Sequence, residues 1–273
     1  MNKLIVILGP TAVGKTKLAV QLANELDGEI ISADSRQVYK HMDIGTGKDL
    51  KDFKLDNQEI PYHLIDIKNP GDEYDVFQFQ QDFIKAYTDI RLRNKVVILC
   101  GGTGMYLQAA IQKELLFEVP KNEFLRTELK NKSQEALNAI LKKLKGNVHN
   151  HTDLLDRSRT IRAIEIETYK KDFSKETLLN PVREFMLFGV SLDREIIREQ
   201  IKRRLDKRLD EGMIGEVEKL IKEGLSIEKL KYYGLEYKYI AMFLNQELSL
   251  KQFYDGLIQA IRKFAKRQMT WYR

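Results

Sequence analysis

An α/β fold built on a parallel sheet is predicted by three observations. Short β-branched runs alternate with helix-like segments over residues 3–110, a glycine-rich phosphate-loop pattern follows the first run, and the composition turns charged and helical from residue 115. Leu4–Leu8 reads as a buried strand, 14–26 as a helix and 29–33 as a second strand; a helix over 76–93 then leads to the strand 96–100 and Gly101-Gly102-Thr103-Gly104. Residues 115–169 are rich in Lys, Glu, Leu and Asn and are predicted to be a helical insertion. This divides the chain into 1–114, 115–169 and 170–273. In the last part 183–190 is predicted to return as a strand, and 194–211, 215–222, Leu235–Leu244 and Leu250–Trp271 read as amphipathic helices. A chain of 273 residues buries a sizeable core.

Gly9-Pro10-Thr11-Ala12-Val13-Gly14-Lys15-Thr16 satisfies the P-loop pattern in full, between a strand and an amphipathic helix. Its glycines let backbone N–H groups turn toward an anion, the helix N-terminus adds partial positive charge and Lys15 a full one, while the Thr16 hydroxyl is expected on Mg2+. By motif alone the loop is an ATP-type site. An ordinary ATPase of this kind carries an Asp at the end of a later strand, yet 96–100 runs into Gly101. Asp34 follows the second strand, on the sheet edge where ligands of such folds bind. There it is either a general base beside the leaving phosphate or the cap of a turn, and the residues alone leave the two even.

Several separated motifs carry a resemblance that extends from the first strand to the last residue. They are the P-loop, Ile31-Ser32-Ala33-Asp34-Ser35-Arg36-Gln37-Val38-Tyr39, Met42-Asp43-Ile44-Gly45-Thr46, His63-Leu64-Ile65-Asp66-Ile67, Gly101-Gly102-Thr103-Gly104, Arg162-Ala163-Ile164-Glu165 and Ala265-Lys266-Arg267-Gln268-Met269-Thr270-Trp271. In these the chain resembles the tRNA dimethylallyltransferases. The resemblance implies a P-loop nucleoside-triphosphate-hydrolase-like core with a helical insertion that closes over a tRNA anticodon stem-loop. It also implies dimethylallyl diphosphate, in place of ATP, held by Gly9, Pro10, Thr11, Ala12, Val13, Gly14, Lys15, Thr16 and Arg204. Asp34 then falls where the family has its base, and Thr103 where it positions the adenosine amine. Ser35, Arg36, Gln37, Val38, Thr103, Arg126, Arg159, Thr160, Ile161, Arg162 and Ala163 fall on RNA-contacting positions. A cytoplasmic monomer that uses Mg2+ is expected.

The chain departs from the family at three places. Gln200 stands where members commonly have Arg, so that cation is missing or supplied by Lys202, Arg203 or Arg208. Gly45-Thr46-Gly47-Lys48-Asp49 replaces Gly-Thr-Ala-Lys-Pro, a change expected to alter a loop without touching the chemistry. Tyr233-Gly234-Leu235 replaces Ile-Gly-Tyr.

With 46 Lys and Arg against 40 Asp and Glu, a net +6, the surface is expected to favour a polyanion mildly. Arg157, Arg159 and Arg162, and the Arg262–Arg273 stretch with Phe264, Trp271 and Tyr272, combine phosphate-neutralising charge with stacking surface. Composition favours a solvated face for them, and the resemblance reverses that order; Phe264 and Trp271 are read as core residues at helical spacing. His63, His149 and His151 match no metal pattern. Cys100, the one cysteine, is read as a buried strand residue. Apolar runs are too short to cross a bilayer and no secretory pattern opens the sequence, so a cytosolic protein without membrane contact is expected. A small-molecule P-loop kinase, an adenylate isopentenyltransferase acting on free nucleotide and a non-catalytic RNA-binding module are the competing readings. Intact Lys15, Thr16 and Asp34 argue against the last, and the insertion and basic C-terminal helix against the mononucleotide enzyme.

Overall fold

The computed structural model describes residues 3–55, 58–145, 154–172 and 178–273, so His149 and His151 lie outside the described residues. Two compact units are present, one formed by Met1–Leu115 with Leu179–Arg273 and one by Leu116–Leu178.

The first unit is built on strands β1 (Leu4–Leu8), β2 (Gly28–Ala33), β3 (Lys54–Leu55), β4 (Gln58–Glu59), β5 (Tyr62–His63), β6 (Val96–Gly101) and β7 (Phe185–Gly189). β3 and β4 form a small antiparallel pair, and the others a parallel sheet in the order β5-β2-β6-β1-β7. Side chains alternate across the sheet, so both faces of a central strand must be apolar when both are covered. Leu4, Val6, Ile31, Ala33, Val97 and Leu99 enter one core; Ile5, Ile7, Ile30, Ile98 and Cys100 enter the other. This is why the predicted strands read as nearly unbroken apolar runs. Burial pushes the Cys100 thiol up to about 11, which makes it an inert packing group.

Helix α1 (Lys15–Glu25) covers one face with Ala19, Val20 and Ala23. On the other lie α2 (Val76–Leu92) and α3 (Gly104–Ile111), whose Phe79 and Tyr106 rings stack with centroids 4.0 Å apart. The second unit contributes α4 (Glu123–Leu129), α5 (Gln134–Lys145) and α6 (Arg157–Asp172). The first then resumes with β7, α7 (Arg194–Asp210), α8 (Met213–Lys222), α9 (Ile227–Tyr232), α10 (Leu235–Leu244) and α11 (Leu250–Trp271). A Ser249–Gln252 capping box opens α11 and an Asp75–Gln78 box opens α2.

The long elements fall close to their sequence expectations. α8 starts at Met213 and not at 215, because Gly212 adopts φ 94 and turns the chain into the helix there. β3, β4, β5 and α9 are too short to establish a period and were not anticipated. Phe264 and Trp271 are corrected: they are 38% and 47% exposed, because the buried stripe of α11 runs through Phe253, Leu257, Ile261, Ala265 and Gln268. Among the described residues no helix is long and apolar enough to cross a membrane.

The second unit has its own small core of Leu129, Leu137, Leu141 and Ile164. Beside it Glu165 is 2% exposed. Arg126 donates to both of its oxygens at 2.7 and 2.8 Å, Arg162 donates at 3.0 Å, and the Asn122 N–H donates at 2.9 Å. Burial alone would raise this carboxyl, but the donors from Arg126, Asn122 and Arg162 outweigh it and hold the group at about 2. Arg157 donates to the carbonyls of Leu129, Lys130 and Lys132, closing the end of α4.

Since the folded value lies below the ordinary carboxyl value of 4.5, the stabilisation from Glu165 is complete above pH 4.5 and is lost as pH falls toward 2. The shift corresponds to about 3 kcal/mol. Glu165→Gln is expected to cost this unit about that amount at neutral pH and to flatten its acid transition. Denaturation followed by helical circular dichroism at several pH values measures both effects.

Candidate active site

Three loops meet where β1, β6 and β2 end side by side: the P-loop after β1, Gly102–Thr103 after β6 and Asp34–Val38 after β2. Neighbouring strands are about 4.8 Å apart, so the β6 turn stands between the phosphate loop and Asp34, each about one strand away. In the P-loop, Ala12 at φ 64 and Gly14 at φ 83 reverse the backbone so that successive N–H groups turn toward one side. Ala12 holds this left-handed conformation without being glycine, a local strain that the packing around it sustains. Lys15 Nζ donates to Pro10 O at 2.7 Å. Burial pulls this ammonium below its ordinary value and the charge of Arg204 adds to the effect, while Cys100 and Asp34 oppose it. Asp34 and Arg204 therefore both lie close enough to Lys15 for their charges to act on it.

Asp34 Oδ1 accepts the Arg36 N–H at 2.9 Å, a turn-forming bond that orients the carboxylate. Thr103 Oγ1 accepts the Ser35 N–H at 3.1 Å, and the Thr103 N–H donates to Ala33 O at 3.1 Å. Thr103 is thus tied on both sides to the strand end that carries Asp34. Arg36 lies over the Tyr232 ring, 5.1 Å from its centroid. Gln37 donates to Gly47 O at 3.2 Å and accepts from the Ser32 hydroxyl at 3.3 Å. Arg204 Nη1 donates to Thr11 Oγ1 at 3.3 Å, bringing α7 onto the phosphate loop.

Other expected positions are turned inward. Val38 is fully buried, and its carbonyl accepts the Ile67 and Lys68 N–H groups. Thr160 is fully buried, and its hydroxyl donates to Asp156 O. Arg126 and Arg162 hold Glu165, whereas Arg159 is exposed. The Gly45–Asp49 departure lies against the Arg204 and Arg208 side chains. A Cβ on Gly47, at φ 68, would stand 1.6 Å from Arg208 Nη2 and 2.2 Å from Arg204 Nη2. Within the same loop Lys48 is buried, donating to Tyr39 O and Asp43 at 2.7 Å and pairing with Asp66. Of the three proposed substitutes for a cation at Gln200, Lys202 and Arg203 are exposed and Arg208 alone is buried. At the Tyr233 departure, the hydroxyl accepts the Gly71 N–H at 2.6 Å. His63 serves structure, with Nε2 at 2.7 Å from Glu29, which Arg93 also pairs.

Gln268 and Tyr272, which the sequence did not place at the phosphate loop, meet it here. Gln268 Oε1 accepts the Thr11 N–H at 2.9 Å, and its Nε2 donates to Gly102 O at 2.9 Å. The Tyr272 hydroxyl lies 2.9 Å from Gly102 O and 3.3 Å from Gly9 O. Its phenol is pushed up to about 12 by burial and by the charge of Asp34. A readable signal existed in the sequence: Gln268 is an amide in the apolar stripe Leu257, Ile261, Ala265, and buried amides need partners. The Trp271 indole packs on Gly104, next to Thr103.

Gln268→Ala leaves the Thr11 N–H without its partner, while Gly102 O keeps the Tyr272 hydroxyl. It is expected to cost about 1–3 kcal/mol and to speed hydrogen exchange at the Thr11 amide. Gln268→Glu, which still accepts from Thr11 but sets a carboxylate against Gly102 O, is expected to restore neither fully. Chemical denaturation with amide exchange measures this.

The IPP transferase family model matches residues 37–273. A curated relative, tRNA dimethylallyltransferase 2 of Phocaeicola vulgatus, is 52% identical over 270 residues, covering 99% of this chain and 88% of its own length. The tRNA dimethylallyltransferase 1 of Parabacteroides distasonis is 51% identical over 272 residues, with the same 99% and 88% coverage. Among solved structures, the full-length tRNA isopentenylpyrophosphate transferase of Bacillus halodurans aligns with a TM-score of 0.72 and 34% identity, over 100% of this chain and 87% of that one. A eukaryotic dimethylallyltransferase acting on tRNA aligns with a TM-score of 0.79 and 25% identity, over 100% and 70%. The chain therefore belongs to the IPP transferase family, that of the tRNA dimethylallyltransferases.

Proposed function

We propose that this protein transfers the dimethylallyl group of dimethylallyl diphosphate to the exocyclic amine of the adenosine just 3′ of the anticodon in tRNA. The reading is carried by one juxtaposition: a phosphate cradle and a carboxylate on the ends of β1 and β2, with only β6 between them, in a chain about half identical throughout to enzymes named for this transfer. The allylic C–O bond breaks, the electron pair leaves with the diphosphate, and the amine nitrogen bonds the allyl carbon and gives up a proton. Asp34 accepts that proton, and Thr103 holds the amine beside it. The P-loop N–H groups, Lys15 and Arg204 receive the charge that grows on the diphosphate. An amine of a stacked base is out of reach, so the adenosine is extruded into the site.

Among the described residues no cluster of three His, Cys, Asp or Glu side chains could hold a metal. A divalent cation, here Mg2+, would be held with the diphosphate supplying most of its ligands and the Thr16 hydroxyl, in the first turn of α1, joining them. When bound, it neutralises leaving-group charge. Ser35, Arg36 and Gln37, on the loop with Asp34, and exposed Arg159, with the helical segment 115–169 that carries it, contact the RNA. Arg126 and Arg162 act there by shaping the segment through Glu165. We assign the protein to the cytoplasm, as a monomer. A kinase or mononucleotide enzyme is not favoured, since the relatives act on tRNA by name.

Mass spectrometry of nucleosides from tRNA incubated with the enzyme, Mg2+ and dimethylallyl diphosphate tests the reaction. Prenylated adenosine is expected, and rapid ATP hydrolysis without prenylation would refute it. Asp34→Asn is expected to slow single-turnover transfer by about 10²–10⁴-fold while both substrates still bind. A folded variant with near-normal transfer would return Asp34 to its turn-capping role.

Arg159 and Arg162 separate by salt and stability. Arg159→Ala is expected to weaken tRNA binding and lower the salt slope by about 1, with little effect on the thermal midpoint. Arg162→Ala is expected to lower that midpoint.

A further inference from the structure

We infer that Arg208, admitted beside Arg204 by the missing side chain of Gly47, is a ligand of the donor diphosphate. This rests on the donor site proposed above and adds to it a residue four positions along α7, on the same helix face as Arg204.

Arg208 is 7% exposed, which is uncommon for a charged side chain without a full set of partners. Its Nη1 reaches Glu236 at 3.9 Å, and its Nη2 is buried with no hydrogen-bond partner. Arg204 shows the same deficit at Nε, although its Nη1 meets the P-loop Thr11 hydroxyl at 3.3 Å. One Nη2 from each residue lies within 2.2 Å of the point that a Cβ on Gly47 would occupy, so the two guanidinium groups close on one another. Like charges brought together out of water repel, and each unpaired N–H costs the hydration it has lost. Burial and the charge of Arg204 pull Arg208 down to about 10, only partly offset by Glu236 and Asp49.

An anion with several oxygens relieves both deficits. It accepts from the free nitrogens and neutralises the pair, and guanidinium groups match phosphate oxygens in geometry. A diphosphate held on the phosphate loop that Arg204 touches would be that anion. Gly47 is then a specificity element of the loop: a Cβ there would force the tips of both guanidinium groups to shift, and the φ of 68 is one that glycine tolerates.

The test is calorimetric binding of inorganic pyrophosphate with Mg2+ to the full chain and to Arg208→Met, Gly47→Ala and Lys15→Ala, with thermal midpoints. Arg208→Met is expected to weaken pyrophosphate about 10- to 100-fold, the worth of a charged hydrogen bond or two, and to leave the midpoint unchanged or raised because a buried charge is removed. Gly47→Ala, which keeps both charges but displaces them, is expected to weaken it as well. If Lys15→Ala weakens pyrophosphate while folded Arg208→Met binds within twofold of wild type, the inference falls and the donor site stands. If Lys15→Ala also binds normally, the donor-site reading fails and takes the inference with it. Should Arg208→Met not fold, Gly47→Ala decides alone, and binding within twofold of wild type would overturn the proposal.

Discussion

Positive charge gathered at a poorly hydrated sheet edge is the constraint on which the rest of the first unit depends. Lys15, Arg204 and Arg208 arrive from α1 and α7, and burial lowers both Lys15 and Arg208. Held this way, cations destabilise a protein unless something compensates, and an unpaired buried charge is among the more costly features a fold can carry. Parallel topology sets the arrangement: the ends of β1, β6 and β2 lie side by side, which brings the phosphate loop, the Gly102 turn and Asp34 to one edge. Positive charge is therefore concentrated at this edge before any chemistry is specified. A leaving diphosphate is an anion whose charge grows as the reaction proceeds.

Holding that edge in shape falls to parts of the chain far away in sequence. Gln268 joins Thr11, 257 residues away, to Gly102, 166 residues away, so α11 braces the phosphate loop against the turn after β6. A second brace steadies the loop after β2. The Glu216 carboxylate accepts the N–H groups of Asp43, Ile44 and Gly45 at 2.8, 2.8 and 3.0 Å, and Tyr237 donates to it at 2.6 Å. Buried Lys48 then ties that loop to Tyr39, Asp43 and Asp66. Each brace is polar and internally satisfied, which rigidifies a site as well as stabilising it. In the second unit Glu165 has the same role for α4 and α6, with Arg126 and Arg162 as its partners.

The strands, the major helices, the P-loop and the acid after β2 were legible in the sequence because each is written locally. Apolar runs buried on two faces, the 3.6-residue stripe of α11 and the spacing of Gly9, Gly14 and Lys15 all follow from interactions within a few turns or one strand. Local pattern also explains the misreadings. Phe264 and Trp271 suit a helical core stripe by type, and only packing shows that the stripe passes them by. What tertiary structure alone decided is which polar groups are consumed inside the protein and which remain for a ligand: Arg126, Arg157 and Arg162 are engaged, Gln268 bridges two loops, and Gly47 leaves space for Arg204 and Arg208. Those assignments depend on burial and on partners tens to hundreds of residues away. A side chain's charge is fixed by its chemistry, but its free hydrogen-bonding capacity is set by what the fold places against it.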